Sequence, residues 1–254
     1  MVELTPRDIG SQLKLAGRLD SQPLCAYGTD TPPANSIPSI DMDRCIAKVI
    51  YSIATESDSP IIYIGRDNTK KCCPGGQAWF GFQPFLTHLN SFLSTGSHSF
   101  RNGHSEFLIA TPDLAEKRLK SVGKITPLGK YIVIQRSDQL YTENHKIKLF
   151  LCFGKAEQIR NLCSLVYFSS QTNHEIYIPW GPSCSSFISY PAGMIENSPS
   201  NAVIVGPTDP TGNYWFPQDF LSMGIPFSTA KQMTEGLASS FIKKRPKVAY
   251  PTRI

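Results

Sequence analysis

The sequence predicts an α/β protein, with α+β as the alternative, in which helices flank a mixed sheet. Segments with helical spacing of apolar residues alternate with short β-rich segments along the chain. The 254 residues, 41% of them apolar, suffice for a large buried core. No apolar run approaches the roughly 20 residues that a membrane-spanning helix needs. We therefore expect a single domain over residues 1–254 without a membrane partner.

Turn and capping residues mark the elements of the first half. Thr5 and Pro6 begin a helix that stops at Gly17. Asp41 or Asp43 caps the next helix, with Cys45 in its first turn. The predicted strands are 22–27, 60–65 and 106–110. A third helix begins at Pro74 and runs past Phe85 with an interruption at Pro84, and a fourth occupies 111–122.

The second half continues the alternation to a basic C-terminus. The predicted strands are 130–136, 146–153, 175–179, 202–206 and 223–227, and helices occupy 156–168 and the stretch from a Ser228 cap to Ile242. Residues 243–254 form a basic tail, which we expect to be a solvated end.

A weak internal duplication is one interpretation of this order. A strand, a helix, a second strand, a cysteine at a helix start and a third strand recur in both halves, over about 18–125 and 126–242. A pseudo-twofold relation between the halves would make Cys73 and Cys184 equivalent. It would also bring their thiols to one crevice of the sheet.

Charge and cysteine usage exclude some classes of function. The formal net charge is +5, and the tail alone carries five positive residues, so the body lacks the broad basic face of a nucleic-acid-binding protein. The tail residues are Lys243, Lys244, Arg245, Lys247 and Arg253. Seven cysteines at irregular spacing, without an apolar signal segment at the N-terminus, indicate reduced thiols. We therefore expect a cytoplasmic protein.

Three cysteines fall at predicted helix starts, where backbone N–H groups and the helix dipole favour a thiolate. Cys73 precedes Pro74 in the stretch KKCCPGGQAWFGF and follows Lys70 and Lys71, and Cys184 follows Pro182. The third is Cys45. Such thiolates would coordinate a soft metal or an iron–sulfur centre. The protein ligands of that centre would be Cys45, Cys73 and Cys184.

The remaining cysteines and neighbouring groups have other expected roles. Cys25, Cys152 and Cys163 are predicted core residues, and Cys72 is a second ligand, a resolving thiol or a packing residue. Gly75, Gly76 and Ser185 are candidate ligand-binding residues, because the glycines allow close approach and the serine offers a hydroxyl. The stretch GGQAWFG matches neither dinucleotide nor P-loop fingerprints.

Two alternatives to the metal centre remain open. In the first, Cys73 is the nucleophile of a thiol-dependent enzyme and a histidine from the loop 98–104 is its base. The candidate histidines are His88, His98, His104, His145 and His174. The second is a non-catalytic small-molecule binder that uses the aromatic segments 79–82 and 214–216. Whether the protein is an enzyme stays undecided by the sequence.

Several short motifs, in order, resemble an uncharacterised prokaryotic family, domain of unknown function 169. They are CPGG, EFLIATPDLAEKRLKSVGKITPLGKYIVIQR, WGPSCSSFISYP, GPTDP and GIPFSTAKQM, between about Leu13 and Met233. The resemblance implies a cysteine in the first long helix, a C-x-G-G segment, a G-x-x-C segment and a D-P turn. These fall on Cys45, Cys73, Cys184 and Asp209-Pro210. The basic residue expected after Pro210 is missing, and the family implies no established activity.

Overall fold

A computed structural model describes residues 4–67, 71–140 and 146–251. Within these ranges eight strands form one mixed sheet flanked by helices, which confirms the predicted α/β class. The strands are β1 (Leu24–Thr29), β2 (Ser36–Pro38), β3 (Ile61–Gly65), β4 (Tyr131–Arg136), β5 (Leu149–Lys155), β6 (Ile176–Tyr177), β7 (Val203–Gly206) and β8 (Phe220–Pro226). The expectations for Lys70, His145 and Arg253 lie outside the described residues.

The helices cover both faces of the sheet. They are α1 (Pro6–Gly17), α2 (Ile46–Thr55), α3 (Pro74–Trp79), α4 (Leu89–Leu93), α5 (Pro112–Ser121), α6 (Ala156–Tyr167), α7 (Phe227–Gly236), α8 (Phe241–Lys244), α9 (Pro246–Ala249) and a π-helix at Ser185–Ser189. α2, α3 and the π-helix pack on one face, and α1, α6 and α7 on the other. Successive residues of β5 point to opposite faces, so Phe150 joins one core and Leu151 the other.

The sheet has the same order and directions read from either edge. Its order is β2-β3-β4-β1-β5-β8-β7-β6. β2–β3 and β6–β7 are parallel pairs, and the other neighbours are antiparallel. β1 to β4 therefore match β5 to β8 about the central β1–β5 pair. This match divides the chain between Arg136 and Leu149, whereas the sequence placed β4 in the second half. The pseudo-twofold relation itself stays a prediction.

The matching crossovers pair different cysteines from those that the sequence paired. α2 lies between β2 and β3, and the π-helix lies between β6 and β7. Both pack on the same face of the sheet. By strand order the counterpart of Cys184 is therefore Cys45, at the start of α2, and not Cys73.

Capping explains where several helices begin. At α1, Asp8 N–H donates to Thr5 Oγ1 (3.2 Å) and Thr5 N–H to Asp8 Oδ2 (3.0 Å), a reciprocal pair that satisfies two helix-end donors. At α5, which begins where the sequence predicts, the Thr111 hydroxyl accepts a hydrogen bond from Leu114 N–H. At α2 the N-cap is Cys45 itself, and Asp43 accepts a hydrogen bond from its backbone N–H (2.8 Å). The prediction of an aspartate N-cap is therefore wrong.

Three predicted elements differ from the structure. Residues 106–110 do not form a strand, because the N–H groups of Leu108 and Ile109 donate to the Leu93 carbonyl and Phe107 has a φ of 51°. The helix at Pro74 ends at Trp79. The last helix ends at Gly236, and its N-cap is Pro226, not Ser228.

The C-terminal segment packs onto the protein as far as it is described. Ala249 is buried, and Asn161 Nδ2 donates to its carbonyl (2.6 Å). The guanidinium of Arg18 lies 3.7 Å from the ring centroid of Tyr250. The charged side chains of Lys243, Lys244, Arg245 and Lys247 are exposed, as expected for a solvated segment, whereas Ala249 and Tyr250 pack against the protein.

Candidate functional site

Cys73 sits at the beginning of α3, as the sequence predicts. It is the N-cap, and Pro74 opens the helix, where its missing N–H costs no hydrogen bond. Gln77 fixes this start twice, since its backbone N–H donates to the Cys73 carbonyl (3.2 Å) and its side chain to the Cys72 carbonyl (2.7 Å). The Cys73 side chain is partly exposed.

Two hydrogen bonds join the start of α3 to the start of α2. The Cys73 N–H donates to the Arg44 carbonyl (2.9 Å), and Arg44 Nε donates to the Lys71 carbonyl (3.3 Å). Cys45 directly follows Arg44 and is also partly exposed. The structure therefore brings Cys45 and Cys73 together.

The two glycines after Pro74 differ in their surroundings. A Cβ atom on Gly76 would lie 3.0 Å from Ile46 Cδ1 and 3.1 Å from the Cys73 sulfur, closer than ordinary contact. A Cβ on Gly75 would have no atom within 4 Å. Gly76 thus makes room for the Cys73 sulfur beside α2, and Gly75 faces open space.

The surroundings of Cys73 favour its thiolate. A hydrogen bond from the Cys45 thiol is the largest cause that lowers the pKa of Cys73, to about 6. Burial opposes this shift, while the backbone N–H groups of Gly76 and Ile46 add to it. The same contact raises the pKa of Cys45 well above its usual range, because Cys45 acts as the donor.

Cys184 is the N-cap of the π-helix and only 5% exposed. Burial is the main cause that raises its pKa, and the charge of Cys73 is the second. The charge of Cys184 in turn contributes to the raised pKa of Cys45. Cys184 therefore lies within electrostatic reach of both other cysteines, and at neutral pH only Cys73 among the three is ionised.

Ser185 is less available than the sequence suggests. It is fully buried, and its hydroxyl already donates to the Pro182 carbonyl (2.7 Å). The neighbouring Ser183 donates to Asn213 Oδ1 (2.6 Å), which ties the π-helix to the loop after β7. In that loop Asp209 accepts hydrogen bonds from Thr211 and Gly212, so its carboxylate builds a turn, as predicted.

Aromatic rings lie beneath this side of the sheet. Tyr51 of α2 packs edge-on against Phe153 of β5 (ring centroids 5.2 Å apart) and Phe216 (5.1 Å). Phe187 of the π-helix contacts Phe153 as well (4.9 Å). In contrast Tyr214 is 92% exposed. Within the segment 214–216, Phe216 therefore packs in the core and Tyr214 does not. Trp79, Phe80 and Phe82 are buried core residues.

Other candidates are not brought to Cys73. His98 and His104 are exposed, and within the described residues neither hydrogen-bonds to it. Cys25 and Cys152 are buried core residues, as predicted, whereas Cys163 is only half-buried. Cys72 is buried, and burial raises its pKa to about 11. None of the seven cysteines forms a disulfide.

The predicted metal centre finds no support in the side-chain positions. Across the described residues, no group of three or more His, Cys, Asp or Glu side chains is placed to hold a metal ion. The soft-metal or iron–sulfur centre at Cys45, Cys73 and Cys184 therefore stays a prediction.

A comparison with protein families decides the family. The profile of DUF169, domain of unknown function 169, described as an uncharacterised ArCR, matches residues 12–236. The chain belongs to the DUF169 family. This confirms the resemblance inferred from the motifs between Leu13 and Met233. No curated protein and no solved structure matches this DUF169 chain.

The structure also has a cavity that lies away from Cys45, Cys73 and Cys184. A cavity of about 850 Å³ lies among α1, α7 and α8, on the opposite face of the sheet. None of the helices in the described part of the chain has the length and apolar character to cross a bilayer.

Sequence reasoning missed two features that position Cys73. The pairing of Arg44 with the segment 71–73 joins residues far apart in sequence, and no local pattern signals it. The π-helix at Ser185–Ser189 is the other. Such helices occur often at functional sites, but periodicity does not reveal a single π-turn.

Proposed function

We propose that this DUF169 protein is a cysteine-dependent enzyme in which the Cys73 thiolate is the nucleophile. One observation carries the proposal. Cys73 has a pKa lowered to about 6, whereas the pKa of each of the other six cysteines is raised. Because the thiolate and not the thiol is the nucleophile, Cys73 is the cysteine prepared to react at neutral pH.

The surroundings of Cys73 supply what a nucleophilic cysteine needs. The Cys45 thiol, not a histidine, is the group that lowers its pKa most, and backbone N–H groups of two helix starts assist. Cys73 is partly exposed at the protein surface. The open space at Gly75 next to it gives a small molecule room to approach. We therefore propose a small electrophilic molecule as the partner.

Alkylation against pH tests this proposal. We expect iodoacetamide to modify Cys73 first, with a rate that reaches half of its maximum near pH 6. Cys163 is the internal control, since burial raises its pKa to about 11. Peptide mapping of wild type and Cys73→Ser assigns each modified thiol. Equal rates at Cys73 and Cys163, both rising only above pH 8, would contradict the proposal.

The predicted soft-metal or iron–sulfur centre is tested on protein purified without oxygen. Metal analysis and visible absorbance of wild type and Cys73→Ser are the measurements. A stoichiometric metal that is lost in Cys73→Ser, together with protection of Cys73 from iodoacetamide, would replace the nucleophile proposal. Metal-free, colourless protein with a reactive Cys73 supports it.

A further inference from the structure

Cys45 has a geometric relation to Cys73 that goes beyond stabilising its thiolate. The Cys73 N–H bonds to the carbonyl of Arg44, the residue before Cys45. Neighbouring parallel strands pair in the same way, with about 4.8 Å between the chains. A disulfide requires roughly 4.4–6.8 Å between its two Cα atoms. From this backbone hydrogen bond we infer that the Cα atoms of Cys45 and Cys73 lie within the range that a disulfide bridges.

The side chains of both residues occupy the same space between α2 and α3. The Cys73 sulfur lies over Gly76, whose hydrogen faces Ile46 at the start of α2. The Cys45 side chain is the group with the largest favourable influence on the ionisation of the Cys73 thiol, which places it close to the Cys73 sulfur. Both side chains are partly exposed and reduced. Two partly exposed, reduced cysteines at neighbouring helix starts are the arrangement from which a disulfide forms.

We propose that Cys45 is the resolving cysteine of a dithiol–disulfide couple with Cys73, and that the substrate class of the site is a disulfide. This inference rests on the nucleophilic role proposed for Cys73. It assigns to Cys45 a covalent step and to the protein an oxidoreductase reaction.

The reaction proceeds in two exchange steps. The Cys73 thiolate attacks one sulfur of a substrate R–S–S–R, so that a Cys73–S–R bond forms, the substrate S–S bond breaks and RS⁻ leaves and takes a proton from water. Cys45 then loses its proton to water and attacks the Cys73 sulfur, which releases the second RS⁻. The Cys73 thiolate and the Cys45 thiol are oxidised to one disulfide, and the substrate disulfide is reduced to one RSH and one RS⁻, which exchange protons with water.

The other cysteines near Cys73 are less suited to this step. Cys72 is its direct neighbour, and consecutive Cα atoms lie only about 3.8 Å apart, below the range for an unstrained disulfide. Cys184 is 5% exposed and belongs to the buried core. Cys45 is the partly exposed one.

Mass spectrometry after reaction with hydroxyethyl disulfide tests the inference. We expect reduced wild type to lose the mass of two hydrogen atoms, to release two thiol equivalents per chain and to yield a peptide pair linked through Cys45 and Cys73. Cys45→Ser should stop at a mixed disulfide on Cys73 and release one equivalent. Cys184→Ser and Cys72→Ser serve as controls and should behave like wild type.

The outcomes separate the two proposals. A wild type that keeps the mixed disulfide on Cys73, or that links Cys73 to Cys72 or Cys184, overturns the resolving role while leaving Cys73 as nucleophile. A wild type in which Cys73 reacts no faster than Cys163 overturns the nucleophile itself. Because the wild-type linkage map needs no variant, the inference stays testable even where Cys45→Ser folds poorly.

Discussion

At the scale of single residues, the two adjacent glycines after Pro74 have different surroundings, and only one of them lies against the Cys73 sulfur. Gly76 faces the Cys73 sulfur and Ile46, and Gly75 faces solvent. A side chain at position 76 must therefore push either the sulfur or the Ile46 methyl group by a few tenths of an ångström. At position 75 the same side chain meets nothing.

The pair of variants Gly76→Ala and Gly75→Ala tests this difference. We expect Gly76→Ala to slow the alkylation of Cys73 at pH 7 by about twofold. Displacement of the sulfur weakens the contacts that favour the thiolate, and a loss of about 1.4 kcal/mol raises the pKa of Cys73 from about 6 by roughly one unit. Gly75→Ala is the matched control and should keep the wild-type rate. Equal rates in both variants would show that Gly76 does not position the sulfur.

The sequence predicts which cysteines belong to the candidate site, but it does not predict how they interact with one another. Cys45, Cys73 and Cys184 stand out because each lies at a helix start, and all three are N-caps in the structure. The protonation states of the three differ because burial and mutual charge act on them unequally, which depends on tertiary contacts. Sequence spacing carries no such information.

At the scale of the elements, short sequence motifs predict the structure correctly where the hydrogen bonds join residues close in sequence. The Thr-Pro pairs predict the beginnings of α1 and α5, since capping involves residues three positions apart. The prediction of a strand at 106–110 is wrong because a β-rich composition does not decide whether a partner strand is present. The N–H groups of this stretch bond to Leu93 and its chain turns at Phe107.

Removal of the α1 cap tests the contribution of one such signal. Thr5→Ala removes the hydroxyl that accepts from Asp8 N–H (3.2 Å), and we expect a loss of about 1 kcal/mol in the free energy of unfolding. Thr5→Ser retains a hydroxyl and should lose less than half of that. Urea unfolding measures both. Because α1 packs on the face of the sheet opposite α2 and α3, the alkylation rate of Cys73 should not change in either variant.

At the scale of the whole molecule, the sheet brings distant segments to one site. Three helix starts that follow separate strands converge on the face formed by α2, α3 and the π-helix. Alternation of elements predicts the α/β class but not that β8 inserts between β5 and β7. Strand order depends on long-range pairing, so the sequence did not reveal that Cys45 and Cys184 occupy matching crossovers.

The ionisation of Cys73 also couples the site to global stability. Its pKa is about 6 in the folded protein and 9.0 for an ordinary cysteine, so between these values the unfolded chain holds a proton that the folded chain has lost. The free energy of unfolding of wild type should therefore rise relative to Cys73→Ser from pH 6 to pH 9. This contribution is lost as the pH falls through 6.

Urea unfolding of wild type and Cys73→Ser at intervals between pH 6 and 9 measures the coupling. Above this window the raised pKa values of Cys45 and Cys184 act in the opposite direction, because their unfolded thiols ionise first. A difference between the two proteins that stays constant from pH 6 to 9 would contradict the coupling.

The ultraviolet absorbance of the thiolate, titrated in wild type and Cys73→Ser, tests most directly that the fold ionises Cys73. The account predicts that the difference between the two curves rises with a midpoint near pH 6, which corresponds to one thiolate per chain at neutral pH. A midpoint near the ordinary cysteine value of 9.0, or no difference below pH 8, would contradict it.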